Sequence, residues 1–129
     1  MANIFDLYET NLEKENNGIP VTLGEATVYV ASSNATGNKR LAAKQAEFSK
    51  LIKGKKDEDN IEYLKELYAE CVLVNWKNVK DKNGKEIPYS KENAKMLFDK
   101  LPHFFDKVLE IATNLSNFQD EKIEEAAKN

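Results

Sequence analysis

His103 and Cys71 are the residues from which a chemical reading would start, and the chain holds one of each kind. One histidine and one cysteine do not make a structural zinc site. His103 follows Leu101-Pro102 where a helix should begin. With no serine or cysteine close to it in sequence, it reads as a boundary or capping residue and not as a general base. Cys71 falls within an apolar helical pattern and reads as a small core residue, because a reactive thiol needs an open, electropositive site. A lone cysteine also excludes an intramolecular disulfide and fits a reducing compartment. Asp81-x-Asn83-Gly84-x-Glu86 resembles part of a calcium loop, but aligning its glycine puts Val79 at the first ligand position and Ser90 at the twelfth. Both ends fail, and the segment reads as a hairpin turn. The five glycines are scattered among turns and form no phosphate-cradling loop. Glu66, Glu70, Asp99, Asp106 and Glu110 alternate with apolar residues along helices, the pattern of a solvated face. The expectation is a protein without catalytic residues, metal or cofactor.

Charge and hydropathy narrow the partners. Nineteen basic against twenty-two acidic residues give a net charge of −3, which argues against electrostatic adhesion to nucleic acid or anionic membrane. The cluster Lys50, Lys53, Lys55 and Lys56 is followed at once by Asp57, Glu58 and Asp59 and reads as a solvated loop. A helix-turn-helix split at Pro102 would present Lys95, Asp99, Lys100, Asp106, Lys107 and Glu110, too mixed in sign for a DNA-recognition helix. No stretch approaches the run of about 20 apolar residues that a membrane helix requires, and the N-terminus has no signal-peptide core. A cytoplasmic protein is expected.

The elements that would position these residues are mostly helical. Ile4, Leu7, Tyr8 and Leu12 have helical spacing, and Asn16-Asn17-Gly18 breaks the pattern. Ile19 to Leu23 and Ala26 to Ala31 alternate and read as two short strands joined at Gly24-Glu25. After a turn-rich loop, Lys39 to Ile52 is a helix with Leu41, Ala42, Gln45, Phe48, Leu51 and Ile52 on one stripe. Gly54 and the charges to Asp59 form a loop. Asn60 to Val74 is a core helix through Ile61, Leu64, Leu67, Tyr68, Cys71 and Val74. Asn83-Gly84 suits a type I′ turn between Val79 and Ile87. Ser90 caps a helix from Lys91 to Leu101 with Ala94, Leu97, Phe98 and Leu101 inward, and Pro102 ends it. The last helix, from His103, carries Phe104, Val108, Ile111, Ala112 and Leu115. The sum is one α+β domain over residues 1–129, predominantly α-helical, with four to five helices and a small N-terminal β-hairpin. Residues 116–129 form a polar C-terminal tail.

Aromatic residues exceed what these stripes need. Phe104 and Phe105 are adjacent and should not both face one core, and Tyr29 lies on the strand face opposite Val28 and Val30. Aromatic residues serve well as interface anchors, so Phe104, Phe105, Phe118 and Tyr29 are the candidate partner-binding residues.

The order of structural residues then resembles a known family. Ile19-Pro20-Val21-Thr22-Leu23-Gly24 with Ala26 to Ala31 is similar to the opening strand pair of bacteriophage tail assembly chaperones. Asn38 to Ile52 is similar to their first long helix. Tyr68 to Trp76, followed by Asp81-x-x-Gly84-x-x-Ile87-Pro88-Tyr89-Ser90, resembles their helix and connector. Glu92-Asn93, Leu97, Leu101 and Phe104 to Ala112 resemble the closing helices, so the likeness covers residues 5–115. It implies a non-enzymatic phage or prophage protein of the host cytoplasm. Such a protein would bind the tape-measure protein and keep it soluble during tail tube assembly, and would self-associate. The alternative is a small adaptor that binds a folded phage or bacterial partner.

Overall fold

The computed structural model describes residues 3–52 and 57–120, with the backbone alone at 48–52 and 57–59. Two short helices, α1 (Ile4–Tyr8) and α2 (Leu12–Asn17), lead into strands β1 (Ile19–Leu23) and β2 (Ala26–Val30). Helices α3 (Lys39–Ile52) and α4 (Asp57–Cys71) follow, then β3 (Leu73–Lys77), α5 (Lys91–Lys100), α6 (Pro102–Thr113) and a 3-10 turn, Leu115–Phe118. The fold is α+β and predominantly helical, as expected.

The hairpin forms where the alternation placed it, with Leu23 opposite Ala26 across a two-residue turn. The sheet is larger than the sequence suggested. β3 adds antiparallel to β2 and gives the order β1-β2-β3. Leu73 and Val74 were expected at the end of a helix, which instead stops at Cys71. The reason lies in a bulge: Tyr29 pairs with Asn75 but Val30 pairs with Leu73, which leaves Val74 as the extra residue. A bulge breaks the two-residue alternation of a strand. It therefore puts Leu73 and Trp76, three positions apart, on the same buried face, and that spacing in sequence is indistinguishable from one turn of helix. Asn78, with φ of 58°, turns the chain away after β3.

The inner face of the sheet (Val28, Val30, Leu73, Trp76) packs on Leu67, Tyr68 and Cys71 of α4, Ala94 and Phe98 of α5, and Phe105, Val108 and Ile111 of α6. Phe104 and Phe105 both reach the core region despite being neighbours. They straddle Phe98, with ring centroids 5.7 and 4.8 Å from it. At the elbow between α5 and α6 Leu101 is the shared cap residue and Pro102 opens the new helix, where its missing N–H is harmless. α4 begins at Asp57, three residues before the expected start, so three acidic residues occupy its favourable N-terminal turn. In α3, Leu41 is buried whereas Ala42 and Gln45 are exposed; Phe48, Leu51 and Ile52 lie outside the described side chains, and 53–56 outside the described residues.

The segment Asp81–Gly84 is not a type I′ turn. That form needs a positive φ at both central residues, and Asn83 does not have one, whereas Gly84 sits at +82°. Gly84 N–H donates to the Asp81 carbonyl at 3.0 Å and Asp81 N–H to the Lys85 carbonyl at 2.9 Å, a type I turn closed by a left-handed glycine. The expected polar tail is held at its start: Phe118 is buried and its carbonyl accepts from Asn11 N–H at 2.7 Å. Residues 121–129 lie outside the described residues.

Where α4 gives way to β3, Ala69, Cys71, Val72 and Leu73 are fully buried, yet a helix end leaves carbonyls without helical partners. Each of the following finds a donor from elsewhere in the chain. Asn38 Nδ2, itself buried, donates to the carbonyls of Cys71 and Ser32, both at 2.9 Å. Its Oδ1 accepts from Leu41 N–H at 3.3 Å and so caps α3. Ala31 N–H reaches the Val72 carbonyl at 2.7 Å. The Tyr89 hydroxyl donates toward the carbonyls of Leu73, at 2.6 Å, and Ala69, at 3.3 Å. Replacing Asn38 by Ala strands two buried carbonyls and one helix N-terminus, so we expect Asn38→Ala to lose roughly 3 kcal/mol of stability. Urea denaturation followed by Trp76 fluorescence measures it.

Candidate functional site

Residues with catalytic potential are each engaged or isolated. Cys71 is buried, and burial pushes its thiol up to about 11, with the Glu70 carboxylate adding to the effect. His103 projects from the first turn of α6 into solvent, 3.9 Å from Asp106. Glu70 lies between Lys44 at 3.5 Å and Lys91 at 3.6 Å. Asp99 accepts from Lys95 at 2.8 Å and Lys65 at 3.3 Å, and Lys95 also bonds Glu62 at 2.6 Å, a network joining α4 to α5. The Lys95 hydrogen bond holds the Asp99 carboxyl below its usual range. Burial acts to lower the Lys95 ammonium, but its bonds to Asp99 and Glu62 outweigh that and raise it. These carboxylates tie helices together and face lysines. Among the described residues no group of three His, Cys, Asp or Glu is placed to hold a metal ion.

The Trp76 connector is a structural joint. The Trp76 indole N–H donates to the Ile87 carbonyl at 2.7 Å, and the ring meets Tyr89 edge-on at 5.2 Å. The four aromatic residues singled out in the sequence do not form one surface. Phe105 and Phe118 are buried in the interior. Tyr29 is half-buried on the outer sheet face, with the Lys77 ammonium 5.8 Å from its ring. Phe104 is half-buried and is the one of the four that lines an open hollow.

That hollow is the site the structure builds. It lies between the β1–β2 turn, the connector after β3 and the α5–α6 elbow. One part, about 180 Å³, is lined by apolar groups of Leu23, Val28, Val79, Leu97, Leu101 and Phe104. A second, about 440 Å³, shares Lys80, Leu97 and Leu101 with the first and extends under Ile87 and Met96. Together they make one shallow groove with an apolar floor and Lys80, Lys82 and Lys100 on its rim. Leu101, expected to face the core, is 50% exposed there. The cause is positional: as the residue between two helices it follows neither helix's buried stripe. Asp81 adds little negative charge to the rim's reach, because its carboxylate accepts from the N–H groups of Asn83 and Lys85 at 2.8 and 3.0 Å.

A second apolar surface comes from the N-terminal stripe. Ile4, Phe5, Leu7, Tyr8 and Leu12 are all more than half exposed, so their helical spacing marks no core face. α1 is capped by Asn3 and Asp6 in a reciprocal box. It is held at its far end by the Gln119 amide, which donates to the Leu7 and Glu9 carbonyls at 3.0 and 3.2 Å.

Residues 27–129 match the family model described as YdaY prophage protein. The chain belongs to this family. It is therefore a prophage protein, and the matched span begins at the second residue of β2, leaving α1, α2 and β1 outside it. No curated protein and no solved structure matches the chain. Among the described residues of this YdaY-family chain no helix is long and apolar enough to cross a membrane.

The raised Cys71 thiol has a direct chemical consequence. Thiolate is the reactive form, so at pH values below the thiol's native pKa little of it is present, and burial blocks access as well. Iodoacetamide should alkylate the folded chain at least about a hundredfold more slowly than the urea-unfolded chain at mildly alkaline pH, as read by mass spectrometry of quenched samples.

Proposed function

We propose that this prophage protein acts without catalysis as a tail assembly chaperone, binding the tape-measure protein and keeping it soluble while the tail tube forms. The observation that carries the reading is the apolar groove at the α5–α6 elbow, open along its length and floored by Leu97, Leu101, Phe104 and Val79. A long client that must stay unaggregated needs many shallow apolar contacts from many chaperone copies, each weak enough to be released when the tube closes. A groove of this kind offers an amphipathic helix a place for its apolar face. The lysine rim favours clients with acidic residues beside the apolar ones. The resemblance of the Trp76-to-Ser90 connector to that of tail chaperones supports the same reading, and that connector forms one wall of the groove.

Co-expression with the long coiled-coil protein of the same tail gene cluster tests it. The wild-type chain should bring an otherwise insoluble client into solution in a complex holding several copies of the chaperone. Leu101→Asp places a charge on the groove floor at an exposed position, so the chain should stay folded while client solubility falls to the level seen without it. A client that stays insoluble beside the wild-type chain would refute the chaperone reading. A one-to-one complex with a folded partner would favour the adaptor.

A further inference from the structure

The two exposed apolar surfaces of this chain are complementary to one another, and they sit where a single copy cannot join them. The N-terminal surface presents Ile4, Phe5, Leu7, Tyr8 and Leu12 to solvent. Between Asn3 and Glu13 it carries three acidic residues, Asp6, Glu9 and Glu13, and no basic one. The groove has the opposite character. Its floor is apolar and its rim carries Lys80, Lys82 and Lys100, for which no ion pair is seen among the described residues. A short acidic helix with apolar side chains and an apolar groove with a basic rim match in both hydrophobicity and charge.

Within one copy the two are held apart. α2 feeds the Ile19 end of β1, where Gly18, with φ of 92°, packs against Val30, Ala31 and Val74. The groove lies by the turn at the Leu23 end. The five-residue strand between them spans about 13 Å at the usual rise per residue. The far end of α1 is also tied to Gln119, which keeps the helix away from its own groove. We propose that the Ile4–Tyr8 helix of one copy seats in the elbow groove of a second copy, so that the chain self-associates head to tail. Such an interface is heterologous: each copy offers a helix to one neighbour and a groove to the other, and the chain grows into a ring or an open row. Self-association and an apolar client would then compete for one groove, which keeps the apolar surface covered until a client arrives.

The experiment uses the full-length chain without any client, so its outcome is separate from that of the client reading. Multi-angle light scattering over a wide concentration range is applied to the wild type, to a helix variant (Ile4→Asp with Phe5→Asp) and to a groove variant (Leu101→Asp). All three substitutions lie at exposed positions, and thermal melts check that each variant is folded. The wild-type mass should rise with concentration and fall back at high salt, while each variant alone stays at the monomer mass. An equimolar mixture of the two variants should reach twice the monomer mass and no more, because the intact helix of one fits the intact groove of the other. A wild type that is monomeric throughout would overturn the proposal. So would variants that still associate alone, or a mixture that stays monomeric.

Discussion

The buried junction between α4 and β3 is the constraint on which the rest of the structure depends. Within a few residues the backbone changes from helix to strand while Cys71, Val72 and Leu73 are shut off from water. A buried carbonyl without a donor is costly, so each must be met from elsewhere in the chain. Asn38 arrives from the start of α3, Ala31 from the end of β2, and Tyr89 from the residue before Ser90, the cap of α5. Three segments distant in sequence are thereby fixed around one point. The Trp76–Tyr89 pair and the Trp76 bond to Ile87 then hold the connector against the sheet, and the position of the connector sets one wall of the groove.

Much of this was legible in the sequence where period and local chemistry agree. Alternation gave both strands of the hairpin, Ser90 marked the start of α5, and Pro102 marked the elbow. The third strand was hidden because its bulge spaces Leu73 and Trp76 as a helix would. Asn38 gave no signal, since a buried asparagine and a loop asparagine have the same letter, and only the fold brings the Cys71 carbonyl to it. Apolar periodicity also misled in the other direction. Ile4, Leu7, Tyr8 and Leu12 have the spacing of a core stripe, yet they face solvent because no element packs over them. Spacing records which residues share a face, not what that face meets.

The candidate site follows the same division. The sequence's aromatic surplus pointed to Phe104, which lines the groove, but equally to Phe105 and Phe118, which are buried. Leu101 carries no sequence mark that separates it from Leu97, one helical turn earlier. Its exposure comes from the elbow, where the chain leaves one helix axis for another and a leucine in phase with α5 falls between the two packed faces.

The central claim is that the elbow groove is the working surface of this prophage protein and that the remaining conspicuous residues serve its fold. Hydrogen–deuterium exchange on the chain with and without a purified coiled-coil fragment of the tape-measure client tests this directly. The account predicts new protection confined to the connector around Val79–Ile87 and the elbow around Leu97–Phe104, with the other described elements unchanged. Protection appearing on α3 or the outer sheet face around Tyr29, with the elbow unaffected, would contradict it.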